Sequence, residues 1–175
     1  MGRYVIGIDI GTSNLGLCVY DSRTAKVVCW KRYSLLQPRQ NTWTFEMSVK
    51  CVRRFLTAHQ QYFDDAQCVL LEKQMRGKMM AVQCMFAIQN YDTAIVVKPQ
   101  HVKKQYDISK RDYKLNKQAA CAWAQQFVTE MPDFFSLGCV QAYHDEAKQD
   151  DMADALLLVR FFLDTYIDGY QVSNF

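Results

Sequence analysis

Residues 4–11 read Tyr-Val-Ile-Gly-Ile-Asp-Ile-Gly, a run in which both alternating faces are apolar except for one carboxylate, Asp9. A strand with two apolar faces is typical of the centre of a sheet that has helices on both sides. An unpaired carboxylate there has little water around it and costs several kcal/mol, as other desolvated ions do. The run therefore predicts a layered α/β domain. Asp9, in the middle of its strand, is expected to have its charge neutralised by a bound cation or by an Arg or Lys.

The composition is that of one globular domain spanning residues 1–175. Half of the residues are apolar and 22% are charged, which is ordinary for a chain with a full core. The net charge of +3 permits a polyanionic partner without requiring one. The seven cysteines include no Cys-x-x-Cys pair, which argues against a disulfide framework or a zinc site. No apolar run reaches the roughly 18 residues of a membrane span. Because a strand is expected to start at Arg3, we expect no presequence.

Apolar runs and turn residues predict a mixed α/β fold with five strands and four helices. The strands are expected at residues 3–10, 15–20, 27–34, 67–73 and 93–98. The first three are expected to form an antiparallel meander. The helices are expected at residues 43–63, 75–91, 116–130 and 149–167. Residues 35–42 and 132–147 are expected to be loops, and no element is predicted in the polar, basic stretch 99–115.

Further acids stand in similarly apolar settings. Glu72 closes a second apolar strand, which we expect to neighbour the strand of Asp9. Three aspartates begin the last helix, and the helix dipole accounts for the first two, Asp150 and Asp151. Asp154 lies a turn inside and is followed by an apolar run. It shares a helix face with Asp151 and with Asp150, so it can reach a common point with either of them.

Carboxylates that converge raise one another's pKa unless a cation lies among them. In the absence of a His or Cys cluster, an all-oxygen site favours Mg²⁺ or Mn²⁺ over zinc. Two such ions held by three or four carboxylates suit phosphodiester hydrolysis, because one activates the attacking water and the other stabilises the leaving 3′-oxygen. The acids therefore predict phosphoryl-transfer chemistry.

Three segments, in this order and spacing, resemble the RuvC-type Holliday junction resolvases. They are residues 6–16 (IGIDIGTSNLG), 71–74 (LEKQ) and 148–156 (KQDDMADAL). Within that group the chain is most similar to the resolvases of poxviruses and other large DNA viruses, and to their mitochondrial relatives. The resemblance implies a ribonuclease H-like fold with a mixed five-stranded sheet flanked by helices.

The resemblance also implies roles for the acids. Asp9 would bridge two Mg²⁺ ions per active site, for which Mn²⁺ can substitute, and Glu72 would bind one of them. Asp151 and Asp154 would complete the site, although some bacterial members carry His at the position of Asp151. Asp150 is a further candidate ligand whose role stays open.

The function that the resemblance implies is a Mg²⁺-dependent, structure-selective endonuclease. It would resolve four-way DNA junctions by paired symmetric nicks, as a homodimer, in viral genome recombination and concatemer processing. We expect no membrane partner, no small-molecule cofactor, and an intracellular site of viral replication, in the host cytoplasm or nucleus rather than in a mitochondrion. Candidate dimer contacts, about half of which are expected to be ordinary core, lie on the Met-rich helix: Met79, Met80, Met85, Phe86 and Ile88.

Basic residues suited to phosphate contacts lie in two stretches. Between residues 98 and 117 seven bases stand against two acids, a net charge of +5, with two tyrosines interleaved. These bases are Lys98, Lys103, Lys104, Lys110, Arg111, Lys114 and Lys117. A second group directly follows Glu72 and is expected to flank the scissile phosphate: Lys73, Gln74, Arg76 and Lys78.

Three other functions stay open at this level. Residues 6–16 also resemble the first phosphate loop of the actin and chaperone ATPases, although that fold needs two lobes and leaves the Asp151 and Asp154 pair unexplained. The same fold could serve a nuclease acting on RNA–DNA hybrids or RNA, such as a YqgF-like ribonuclease, or an integrase-like core. A catalytically inactive junction-binding module is the third, and the complete set of acids argues against it.

Overall fold

The computed structural model describes residues 2–36, 43–75, 77–108 and 112–168. A five-stranded mixed sheet forms its centre, which confirms the predicted fold class. The strands are β1 (Tyr4–Asp9), β2 (Leu15–Asp21), β3 (Lys26–Tyr33), β4 (Ala66–Glu72) and β5 (Ala94–Val97). Their order across the sheet is β3-β2-β1-β4-β5. The first three form the predicted antiparallel meander, whereas β4 runs parallel to β1 and β5 parallel to β4.

Seven α-helices occur in the described part of the chain. They are α1 (Phe45–Ala58), α2 (Gln60–Phe63), α3 (Gly77–Gln89), α4 (Pro99–Gln105), α5 (Tyr113–Glu130), α6 (Cys139–His144) and α7 (Asp150–Phe162). A 3₁₀ turn (Pro132–Phe134) follows α5, and a π-helical turn (Leu163–Asp168) follows α7. Within the described residues, no helix combines the length and the apolar composition that a membrane crossing requires.

The predicted helices all exist, but their limits differ. The helix expected at 43–63 is interrupted at His59, which separates α1 from α2. The third begins at Tyr113 rather than at 116, because the Asp112 side chain accepts the backbone N–H of Lys114 and Leu115 and caps the helix. Most of the predicted loop 35–42 lies outside the described residues.

Two short helices were missed. Pro99 ends β5 but also begins α4, because a proline in the first turn of a helix gives up no hydrogen bond. The stretch 99–115, for which no element was predicted, therefore starts with a helix. The predicted loop 132–147 contains the 3₁₀ turn and α6, which follows Gly138 in a left-handed conformation with φ of 91°. Both helices are shorter than two full turns, too short for an apolar periodicity to reveal them.

The sheet is covered on both faces, as the apolar pattern of β1 requires. On one face α1 and α3 pack against Ile6 and Ile8. On the other face α5 and α7 pack against Val5. Because successive residues of a strand point to opposite faces, Gly7 and Asp9 belong with Val5 to the face that α7 covers.

Helix α7 lies directly on β1 and β2 because two glycines leave room for its backbone. A Cβ atom on Gly7 would stand 2.4 Å from the carbonyl oxygen of Ala155, and one on Gly16 would stand 1.9 Å from that of Asp151. Since real Cβ atoms do not approach that closely, any larger residue at either position would push the helix away. The glycines of residues 6–16 thus set the height of α7 above the sheet.

Trp30 of β3 forms a hydrogen bond with the start of α7. Its indole N–H donates to the carbonyl oxygen of Met152, at 2.7 Å, and its ring stacks on Tyr143 with the centroids 4.2 Å apart. Both rings are fully buried. The start of α7 is therefore held from two sides, by close backbone contact with β2 and by a buried hydrogen bond to β3.

Candidate active site

Asp9 and Glu72 end two adjacent parallel strands. The register pairs Ile8 of β1 with Leu71 of β4, so the acids that follow them lie side by side. Asp9 is the last residue of its strand and not, as predicted, in the middle of it, because the chain leaves the sheet at Ile10 to form the hairpin turn to β2. It is nevertheless only 9% exposed.

Helix α7 brings the remaining acids to this point. Asp151 in its first turn and Asp154 one turn later line a single cleft of about 600 Å³, together with Asp9 and Glu72. Three separate parts of the chain thus contribute carboxylates to one cavity at the carboxyl ends of β1 and β4. No Arg or Lys neutralises Asp9: among the ion pairs between described residues, none involves Asp9, Glu72 or Asp154.

The electrostatics of the cleft reflect this crowding of acids. Burial raises the pKa of Asp9 well above its usual range, and the charges of Glu72 and Asp154 raise it further. Asp9 and the Glu72 carboxyl group are thus direct neighbours in the cleft. A cation between these carboxyl groups would relieve their repulsion.

The two aspartates of α7 are shifted in the same direction. Burial raises the pKa of Asp154 to about 7; the Lys103 charge opposes this rise and Glu72 adds to it. Burial also raises the pKa of Asp151, against the hydrogen bond that it accepts from Lys148. Three buried carboxyl groups therefore resist ionisation while no cation lies between them.

The donors fit a hard divalent cation, since carboxylate oxygens are the ligands that Mg²⁺ and Mn²⁺ prefer. Among the residues that the structure describes, however, no three His, Cys, Asp or Glu side chains form a ready ligand set. The acids share a cleft without converging on one point. Ligation would require their side chains to rotate towards each other, which the repulsion between them opposes until a cation is present.

We predict that the metal-free protein loses stability as the pH rises from about 4 to about 7. An unfolded aspartate releases its proton near pH 4, whereas folded Asp154 retains its proton up to about pH 7. In this window the folded state binds more protons than the unfolded state, so the free energy of unfolding falls with pH. Thermal melts in EDTA at pH 5 and pH 7.5 measure the loss, and Asp154→Asn should reduce it. An equal slope in the variant would contradict the prediction.

Asp150, whose role the sequence left open, does not line the cleft but forms an ion pair with Lys117. Burial opposes ionisation of Asp150, but the hydrogen bond and charge of Lys117, together with the charge of Lys148, outweigh it and lower the pKa of this carboxyl group. Burial likewise opposes protonation of Lys117, yet the hydrogen bond to Asp150 raises its pKa and keeps it cationic. Asp150 thus fixes a lysine at the wall of the cleft.

The predicted basic residues separate into three groups. Lys73, Gln74, Lys103 and Lys117 line the cleft beside the acids. Lys78, Lys98, Lys104 and Lys114 are exposed and lie outside the cleft lining. Arg76, Lys110 and Arg111 lie outside the described residues. Helix α4 explains part of this division, since Lys103 and the exposed Lys104 are consecutive residues and point in different directions.

Sequence reasoning missed several residues of the cleft. The hairpin turn between β1 and β2 contributes Thr12, Ser13 and Asn14, and the segment before α7 contributes Lys148. Asn14 accepts a hydrogen bond of 2.5 Å from the Arg32 guanidinium. The only sequence signal for Lys148 was its position three residues before Asp151, which suits an ion pair along one helical turn.

Two solved structures share this architecture. The fowlpox virus resolvase, solved with substrate Holliday junction DNA, matches with a TM-score of 0.69 and 17% identity, over 94% of this chain and 99% of that one. Thermus thermophilus RuvC, solved with a Holliday junction substrate, matches with a TM-score of 0.58 and 15% identity, over 95% and 96%. The fold is thus the ribonuclease H-like fold of the RuvC-type resolvases, as predicted.

The sequence also identifies the protein family within this fold. The model of the poxvirus A22 protein family matches residues 3–165, which is nearly the whole chain. The chain belongs to this family. No curated protein shows significant sequence similarity to it.

Proposed function

We propose that this chain is a metal-dependent endonuclease that resolves four-way DNA junctions. The observation that carries the proposal is the cleft in which Asp9, Glu72, Asp151 and Asp154 meet, with lysines on its walls. Membership of a poxvirus family supports it, as do the fowlpox and bacterial resolvases of the same fold that were solved with Holliday junctions. We propose further that residues 1–175 act as a single nuclease domain.

The four acids are the proposed ligands of two Mg²⁺ ions per site, for which Mn²⁺ can substitute. Bound there, the ions would activate the attacking water and stabilise the leaving 3′-oxygen. The chain's own part is to hold the ligands in place. Gln74 donates from its side-chain amide to the Glu72 carboxylate at 3.1 Å, and its own backbone N–H donates to the Gln83 side chain at 2.6 Å. Glu72 is thereby oriented from α3.

The lysines of the cleft are the proposed phosphate ligands. Lys103 comes from α4, Lys117 from α5, and Lys73 from the segment after β4, so they approach the acids from different elements. Lys117 is held both by Asp150 and by the Tyr113 ring, whose centroid is 5.2 Å from its ammonium group. Outside the cleft, the proposed contacts to flanking DNA are Lys78, Lys98, Lys104 and Lys114, with Arg76, Lys110 and Arg111 beyond the described residues.

We expect junction affinity to fall steeply with salt. Each phosphate contact releases counterions, so four contacts predict about a 100-fold weaker affinity at about 200 mM than at about 50 mM salt. The measurement is a junction-binding titration in EDTA at several salt concentrations. Lys103→Met should make the dependence less steep, whereas Lys50→Met on α1, across the sheet from the cleft, serves as the control. An affinity that does not change with salt would contradict the phosphate contacts.

A homodimer is part of the proposal, because two identical sites related by a two-fold axis match the symmetry of a four-way junction. On α3, Met80, Cys84 and Ile88 form an exposed stripe four residues apart, while Met85 and Phe86 are buried in the core. Three further apolar side chains, on or just before the edge strand β5, are also exposed: Tyr91, Ile95 and Val96. We propose that the stripe and these residues, from Met80 to Val96, form the apolar dimer face.

The dimer face predicts that Ile88→Glu yields a monomer. Ile88 is 60% exposed in the single chain, so a charge there leaves the fold intact but cannot be buried against a second copy. Light scattering after size exclusion measures the oligomeric state. Leu137→Glu, a fully exposed leucine near the opposite edge of the sheet, is the matched control and should stay dimeric. If the Ile88→Glu variant were still a dimer, this face would not be the dimer interface.

One gel tests the activity. A four-way junction, a linear duplex and an RNA–DNA hybrid are incubated with the protein in Mg²⁺ or in EDTA. Symmetric nicks on the junction alone, only with Mg²⁺, are the expected result. Cleavage of the hybrid instead would favour a ribonuclease, and binding without cleavage would favour an inactive junction-binding module. In infected cells we propose that the enzyme acts on viral DNA where it replicates, in recombination and concatemer processing.

A further inference from the structure

Lys148 occupies a position that the proposed reaction does not use. Its ammonium nitrogen lies 2.6 Å from Oδ2 of Asp151 and 3.6 Å from Oδ1 of Asp150, and its side chain lines the cleft. It stands two residues before α7, in the segment that leads into the acidic helix. The lysine therefore contacts one of the four proposed ligands from inside the cavity that would hold the ions.

The surrounding framework holds this lysine in place. The backbone N–H of Lys148 donates to the Glu146 carboxylate at 3.3 Å, and Glu146 forms an ion pair with Arg32 of β3 at 2.9 Å. The segment before α7 is thus connected to the sheet through Glu146. Only the flexible stem of the lysine can move without disturbing that connection.

The main ion-pair partner of Lys148 is Asp151 and not Asp150. Asp150 already has an ion pair with Lys117. Among the acids that line the cleft, Asp151 alone forms an ion pair with a described lysine or arginine, and that partner is Lys148. The carboxylate of Asp151 is therefore neutralised before any metal arrives, in contrast to the other three acids.

An ammonium group and a divalent ion compete for the same carboxylate oxygen. We propose that Lys148 is a tethered counter-ion, which occupies Asp151 in the metal-free protein and must be displaced when a divalent ion binds. This inference depends on the proposed function, because it takes the four acids to be metal ligands. Lys148 thereby lowers the metal affinity of the free protein and keeps the acidic cleft folded without metal. It is a positioning residue and not a ligand.

The test measures Mn²⁺ binding to the free protein by calorimetry, without DNA. Because a partly exposed ion pair must be broken, Lys148→Met should bind Mn²⁺ roughly two- to fivefold more tightly than the wild type. Lys148→Arg, which keeps the charge, should stay close to the wild type. The matched control is Lys50→Met, which removes an ion pair of the same 2.6 Å length on α1, between Lys50 and Glu46. It should leave Mn²⁺ binding unchanged.

The outcomes separate this inference from the proposed function. Wild-type binding with an unchanged or weakened Lys148→Met variant would overturn the counter-ion alone. No Mn²⁺ binding by the wild-type protein would overturn both. A thermal melt in EDTA gives a second measurement, in which Lys148→Met should melt at a lower temperature than wild type because Asp151 loses its partner. A variant as stable as wild type would contradict the inference.

Discussion

Asp9→Asn is expected to reduce junction cleavage by at least about a thousandfold, equivalent to about 4 kcal/mol of transition-state stabilisation, while junction binding persists. The substitution keeps the shape of the side chain and removes the charge that the proposed ions need. The proposed phosphate contacts belong to lysines on other elements, so binding should survive.

The same variant should stabilise the metal-free protein, because one member of a crowded group of acids loses its charge. Cleavage in Mg²⁺ should therefore fall while the melting temperature in EDTA rises. A merely misfolded variant cannot produce both changes. Asp133→Asn, at an exposed aspartate outside the cleft, is the control and should change neither. Nicking by purified Asp9→Asn at the wild-type rate would refute the site assignment.

Gly16→Ala is the second substitution with a large expected effect. The added methyl group would stand 1.9 Å from the carbonyl oxygen of Asp151 and 3.3 Å from the Ala155 side chain. Since the first contact is with backbone, no side-chain rotation relieves it, and α7 must move away from β2. Overpacking of this kind costs about 3 kcal/mol. Because Asp151 and Asp154 move with the helix, cleavage and Mn²⁺ affinity should both fall at least tenfold.

A control must separate helix displacement from simple loss of stability. Leu17→Ala on the same strand creates a cavity on the opposite face of the sheet, which α1 and α3 cover. It should lower the free energy of unfolding by about 3 kcal/mol. Below its melting temperature it should keep Mn²⁺ affinity near the wild-type value. Equal losses of affinity in both variants would show that stability alone, and not the position of α7, governs the site.

Asp9 and Asp154 could be singled out from the sequence because each one violates its local apolar pattern. The negative charge of a carboxylate among apolar neighbours, such as Asp9 or Asp154, needs a positive partner or a proton. The sequence shows that need even when it does not show the partner. Strand limits were predicted to within a residue or two for the same reason, since alternation and turn residues are local signals.

The positive residues were less predictable, because a lysine on a long flexible stem carries no local signature of its partner. The charge count of residues 98–117 was correct, yet it could not separate Lys103 and Lys117, which enter the cleft, from exposed Lys98 and Lys104. That division depends on α4, which was missed. Lys148 was missed because its partner, Asp151, was interpreted as a first-turn residue or a metal ligand, and not as a member of an ion pair.

The order of elements, the two apolar faces of β1 and the isolated acids are properties of the chain itself, and they determined the fold class and the chemistry that we propose. Only the tertiary structure decided which charges meet. Gly7 and Gly16 let α7 approach the sheet, so Asp151 comes within reach of Asp9 while Asp150, one residue earlier, faces Lys117 instead. One residue along a helix is a rotation of about 100°, and contacts between distant segments, not local pattern, fix that rotation.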